Sequence, residues 1–318
     1  MIDFVGKRYL YFLISVLIIV PGMLAIAVHW VQYQTPFAMA IDFTGGTNWE
    51  IVDIARVPTT DEVREIFAKY GIRDAVPQPE ILEGKQGVLI RSSEVRPEVK
   101  PLIAADLKAL LGDFTEVHFE SAGPAIGAEV SQRAAQAVGF SALAILLFLT
   151  LAFRKAPHPF RYGVAAIIAM FHDILVVIGL AAIFALFFGW QVDALFLTAL
   201  LTVIGFSVHD TIVVFDRIRE NLTRLRGMPF DSVVNHSITQ TLDRSINTQL
   251  VVLFTLTSLA LFGGITIRHF VLTMLIGILS GTYSSIFNAA QILVVWEDGD
   301  VGNFFRRVFR RQEKAPAS

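Results

Sequence analysis

Residues 192–215 form an apolar run long enough to cross a bilayer, yet His209 and Asp210 lie inside it, within "FSVHDTIVVFDRIREN". A carboxylate at that depth is expensive. It persists where it faces other helices or a water path, and its usual work is moving ions, protons or charge. The run therefore restricts the chain to folds that enclose Asp210 in protein. The rest of the chain repeats the demand for a membrane: 54% of residues are hydrophobic, 17% are charged and the mean hydropathy is +0.60. Windows of about 20 apolar residues fall at residues 9–28, 134–153, 163–188, 192–215, 246–266 and 270–296. Six crossings follow, hence an α-helical polytopic membrane protein. Ala25-Ile26-Ala27 has the small residues of a leader cleavage site, but the apolar run before it exceeds the roughly 7–15 residues of a signal segment and reads as a span.

Positive charge orients the spans. Lys7, Arg8, Arg154, Lys155, Arg161, Arg217, Arg219, Arg224, Arg226, Arg244, Arg306, Arg307, Arg310, Arg311 and Lys314 all fall on one side, whereas the opposite short loops contain only Arg268. By the positive-inside rule both termini are cytoplasmic. The chain then divides into a cytoplasmic N-terminus and first helix (1–31), a hydrophilic extracytoplasmic domain (32–133), a five-helix transmembrane bundle (134–298) and a basic cytoplasmic tail (299–318). The zero cysteine count suits an oxidising face without disulfides.

The hydrophilic domain has its own pattern. Alternation over residues 41–53, with Gly45-Gly46, predicts a strand or bent hairpin. Thr59 and Glu62 form a capping box for a helix whose inner face is Val63, Ile66, Phe67 and Tyr70, stopped at Gly71. Strands at 76–82 and 88–92 are joined by residues 83–87, a second helix begins near Pro97 with Val99, Leu102, Ile103, Leu107, Leu110 and Leu111 inward, and a last strand covers 115–120. The order βαββαβ is the ferredoxin-like split motif. With no cysteine, no metal-spaced histidines and one structural His118, the domain points to binding or mechanics rather than catalysis.

The membrane charges form a small set. The clean apolar run 250–262 is too short to span about 30 Å of hydrocarbon, so the fifth helix must draw in Asn247, Ser245 and Arg244. Asp210 and Arg244 then share the cytoplasmic half of the membrane, within reach of a long guanidinium. His172-Asp173 repeats the His-Asp pair on the third span, and the sixth carries Gly277, Gly281, Ser284, Ser285, Asn288 and Gln291. Gly277, Gly281, Ser284 and Ser285 read as close helix packing; His172, Asp173, His209, Asn247 and Asn288 are candidate supporting polar residues. A carboxylate whose distance from a cation differs between two conformations binds a proton in one and releases it in the other.

"IDFTGGTNWE", "GPAIGAEVS", "FHDILVV", "FSVHDTIVVFDRIREN", "RSIN" and "GTYSSIFNA", in that order along almost the whole chain, resemble the SecF family of bacterial protein export, itself similar to the resistance-nodulation-division transporters. The resemblance implies an accessory subunit in the bacterial plasma (inner) membrane, not an enzyme. With SecD it would use the proton motive force to promote late steps of export through the SecYEG channel, with Asp210 and Arg244 as the proton-coupling pair. It implies SecD, SecYEG, the translocating preprotein and membrane lipid as partners, YajC as a further candidate, and no nucleic acid. No cofactor or metal is implied; the coupling ion is H⁺, with Na⁺ as the alternative. The family often has Asn where this chain has His209. Three other readings remain distinct: a structural partner of SecD without ion coupling, a small-molecule efflux transporter, and an intramembrane aspartyl protease with Asp173 and Asp210 as a dyad.

Overall fold

The computed structural model describes residues 3–82 and 84–299; the basic residues Arg306, Arg307, Arg310, Arg311 and Lys314, with the tail 301–318, lie outside the described residues. Helix α1 (Arg8–Tyr33) is followed by a single turn, α2 (Ile41–Thr44), then β1 (Gly46–Val52), α3 (Thr60–Ala68), β2 (Val76–Leu82), β3 (Lys85–Ser92), α4 (Lys100–Leu111) and β4 (Thr115–Ala122). Long helices complete the chain: α5 (Pro124–Ala152), α6 (Pro159–Phe188), α7 (Ala194–Arg224), α8 (Phe230–Phe262) and α9 (Ile265–Ser284), which runs through a π-helical turn (Ser285–Ala289) into α10 (Ala290–Glu297). Among the described residues six helices are long and apolar enough to cross a membrane, α9 and α10 counting as one. The chain is a predominantly helical, multi-pass membrane protein carrying a small antiparallel sheet.

Two compact units emerge, one comprising residues 1–38, 137–190 and 195 onward, the other residues 39–136 and 191–194. In the second, four strands lie in the order β2-β3-β1-β4, every neighbouring pair antiparallel. The first turn of α3 is closed reciprocally: Glu62 N–H donates to Thr59 Oγ1 at 3.4 Å, and Thr59 N–H to Glu62 Oε2 at 2.9 Å. Trp49, Ile51, Val63, Phe67, Ile90, Ile103, Leu107 and Leu111 are wholly buried between helices and sheet. Leu102, expected inward, is 54% exposed, because Ile103, Leu107 and Leu111 at four-residue spacing take the inner face. The strand expected from Ile41 is instead the turn α2, and β1 starts only after Gly45 (φ +73°) and Gly46 (φ +126°) reverse the chain. A side chain at Gly45 would lie 2.7 Å from the Pro124 backbone, and one at Gly127 would lie 2.7 Å from the Gly45 amide. The "TGG" and "GPAIG" segments therefore meet backbone to backbone, which only glycine permits. Pairing of β2 with β3 continues to Leu82 opposite Lys85, so the connection is tighter than residues 83–87; Glu83 lies outside the described residues.

In the helical unit, α1 packs on α6, α9 on α6, and α8 on α9. Gly22 and Gly179 set the closest of these approaches, since a Cβ at Gly22 would meet Gly179 Cα at 2.5 Å. Large apolar side chains such as Leu17, Leu24, Phe140, Phe148 and Phe254 face outward, where hydrocarbon rather than water is their suitable solvent.

Candidate functional site

The helical interior contains two buried carboxylates. Asp173 projects from α6 and is 1% exposed. Three hydroxyls donate to it at 2.6 Å each: Ser207 of α7 and Ser284 of α9 to Oδ2, and Ser280 of α9 to Oδ1. His172 Nδ1 lies 3.0 Å from Oδ1 and is a fourth donor in the Nδ1–H tautomer. A carboxylate accepts at about four lone-pair sites, so with that tautomer all four are filled, and among the described residues no guanidinium or ammonium pairs with it. Because its donors come from α7 and α9, the cluster also ties three helices together.

Glycines make the cradle possible. A Cβ at Gly277 would come within 2.2 Å of the Val203 side chain, and one at Gly281 within 3.1 Å of Ser207 Cβ. A side chain at either position would thus crowd α7 against α9. The π-helical turn then redistributes the polar stripe. Ser284 faces Asp173, Ser285 accepts from Thr211 Oγ1 at 3.0 Å and donates to the carbonyls of Ser207 and Gly281, and Asn288 pairs with Ser15 of α1. Single π turns of this kind are frequent at functional sites.

Asp210, on α7, is 3% exposed and has very different company. Among the described residues its side-chain hydrogen bond is a short one from Gln249 Nε2 of α8. The expected Asp210–Arg244 ion pair is not formed. Arg244 lies on the exposed face of α8, in no ion pair among the described residues, its carbonyl accepting from Thr248 Oγ1. The reason is angular: at 100° per residue, Arg244 sits about 140° around the helix from Gln249, so the turn that delivers the amide to Asp210 carries the guanidinium away. Depth alone, on which the pairing rested, does not fix azimuth. His209 and Asn247 are also exposed, whereas His172, Asp173 and Asn288 are buried. Asp173 and Asp210 share no hydrogen bond among the described residues, so they do not form a carboxylate dyad. Below Asp210, the cytoplasmic end expected of α7 carries the ion pairs Asp216–Arg219 and Arg217–Glu220, consistent with a solvated helix end.

Ser207, Ser280, Thr211 and Gln249 were not among the expected site residues. The readable signal was spacing: Ser280 and Ser284 are one helical turn apart, as are Ser207 and Thr211.

A polytopic helical bundle enclosing two carboxylates, linked to an α+β unit with a four-stranded sheet, defines a multi-pass membrane protein with buried charge. Residues 103–299, more than half of the chain, match the family described as "Protein export membrane protein SecD/SecF, C-terminal". The protein translocase subunit SecF of Thermobaculum terrenum is 48% identical over 327 aligned positions covering all of both chains, and that of Anaerolinea thermophila is 47% identical over 96% of this chain and 98% of its own. The crystal structure of SecDF from Thermus thermophilus, described as a translocon-associated membrane protein, aligns with a TM-score of 0.74 and 31% identity, over 93% of this chain and 39% of that one. The chain belongs to the SecF family of protein translocase subunits.

Proposed function

We propose that this chain is an accessory subunit of the preprotein translocase which, with SecD, uses the proton motive force to promote late steps of export, Asp210 carrying the proton. Family membership supports the export role. The SecDF of Thermus thermophilus is 35% identical over 87% of this chain, a stretch that is only 37% of its own length, which supports a SecD partner for the remainder. The observation carrying the coupling is the asymmetry around Asp210: a buried carboxylate held by a neutral amide, beside a helix whose Arg244 is turned outward. An exposed guanidinium flanked by apolar helix favours an anion, and a second subunit is the natural source. Movement of that subunit would change the charge near Asp210 without rebuilding the bundle.

A proton crossing 100 mV is worth about 2.3 kcal/mol and each pH unit about 1.4 kcal/mol, sufficient for one proton to bias a domain rearrangement. In this reading the unit with the sheet is an extracytoplasmic ferredoxin-like domain between the first two spans, both termini are cytoplasmic, and the domain holds and releases a preprotein emerging from the SecYEG channel. The test is Asp210→Asn in vesicles containing this chain, SecD and the channel. The amide keeps the shape but exchanges no proton. Loss of proton-driven export stimulation at normal assembly is expected. Undiminished stimulation would leave the structural-partner reading, and stimulation driven by a sodium gradient alone would replace H⁺ by Na⁺.

A further inference from the structure

Helix α8 carries Ser237, Thr241, Ser245 and Gln249 at successive four-residue steps, and all four are at least nine-tenths buried. The stripe begins at the polar end of the bundle, where Asn221 Nδ2 donates to Ser237 Oγ at 2.9 Å, and ends at the amide bonded to Asp210. From Ser237 to Gln249 it covers about 18 Å of helix. Thr241 and Ser237 donate to backbone carbonyls of their own helix, Thr241 to Ser237 O at 3.0 Å and Ser237 to Val233 O at 2.7 Å, which leaves lone pairs on both oxygens. Ser245 Oγ and Gln249 Oε1 are buried with no hydrogen-bond partner among the described residues. Two such orphans in succession on one stripe call for an explanation, since buried polar atoms are nearly always satisfied by protein or by ordered water.

The spacing supplies one. Side chains four residues apart on a helix are separated by about 5–6 Å, the distance that one water spans with two O–H···O bonds of about 2.8 Å each. We propose that Ser237, Thr241, Ser245 and Gln249 form a hydrated proton path along the inner face of α8, joining Asp210 to the Asn221 end of the bundle. Gln249 is its last element, a positioning residue that holds the Asp210 carboxylate and offers its free Oε1 to the final water. The exposed face of the same helix, with Arg244, Asn247 and Thr248, is left for other contacts. This path deepens the reading of Asp210 as the proton carrier and rests on it.

Two measurements on the complex with SecD test the path separately from that reading. The chain has no cysteine, so single cysteines at positions 237, 241 and 245 can be probed with a membrane-impermeant thiol reagent that requires water and thiolate. Labelling there, with none at the buried apolar positions Ile238 and Val234, is expected; a cysteine at 245 as inert as one at 238 would overturn the path. Proton flux into vesicles is the second readout. Ser245→Leu and Thr241→Val should each slow it about a hundredfold, the lower end of what a positioned proton-transfer group contributes. Ser245→Thr should restore the hydroxyl and the flux, and Thr255→Val, on the exposed face, should change nothing. Normal flux in both Ser245→Leu and Thr241→Val, with Asp210→Asn inactive, would discard the path and keep the carrier. Normal flux in Asp210→Asn would discard both.

Discussion

Asp173 and Asp210 lie on consecutive helices of one bundle and are buried to nearly the same degree, yet among the described residues three hydroxyls and the His172 ring surround one and a single amide meets the other. Equal burial therefore goes with very different hydrogen bonding. A carboxylate that fills its lone pairs with hydroxyls from neighbouring helices works as a fastener. An under-satisfied one responds to whatever charge approaches. Asp173 fastens α6, α7 and α9, and under the proposed function Asp210 is the carboxylate that exchanges a proton.

The largest expected effect comes from removing the fastening. Asp173→Ala takes the acceptor from two buried hydroxyls, Ser207 and Ser280, at about 1–3 kcal/mol each, and leaves Ser284 only the Gly281 carbonyl; it should sharply reduce folded protein in the membrane, read as abundance and detergent thermal stability. Asp210→Asn should instead fold and assemble normally and lose coupled export. If Asp173→Ala accumulates normally while Asp210→Asn does not, the two roles are reversed. Next in size is Gly277→Ala, whose Cβ must displace the Val203 side chain at about 1–3 kcal/mol. Gly281→Ala needs only a few tenths of an ångström from Ser207 and should cost less in the same melt.

How much of this could be read beforehand depends on the physical signal. Spans are legible because hydrocarbon requires long apolar runs, and Asp210 and Asp173 because each is a charge within one. The capping box at Thr59 and Glu62 is legible because its chemistry is local. What ties the carboxylates down is not: serines in an apolar helix look like packing, and whether Ser280 or Ser285 faces Asp173 depends on the azimuth of α9 and on the π-helical turn. Gln249 was hidden in the same way, and its neighbour Arg244, conspicuous by charge, faces outward. Residues 41–44 alternate like a strand but form a turn because Gly45 and Gly46 break the extended geometry before the sheet begins. Leu102 was misplaced because its helix has more leucines than its inner face can hold.

The smallest expected effect extends the comparison to a surface carboxylate. Glu62, bonded by Arg56 and by the Thr59 amide, is held down from its ordinary 4.5 to about 2. A lowered folded pKa means that its contribution to stability is present above about pH 4.5 and is lost as pH falls from there toward 2. Glu62→Gln should flatten only that acid limb of the isolated unit's unfolding curve, if residues 39–136 fold alone, and leave the neutral plateau nearly unchanged, because the group is exposed and solvent-screened.

Infrared difference spectroscopy of the complex with SecD during a pH titration tests the contrast between the two aspartates most directly, because a protonated carboxylic acid has its own C=O band. The expected result is a titrating carboxylic-acid band that disappears in Asp210→Asn and persists in Ser284→Ala, where Asp173 has lost one of its donors. A band unchanged by Asp210→Asn, or one abolished by Ser284→Ala, would place the exchanging proton at Asp173 and contradict the assignment of fastening and carrying made here.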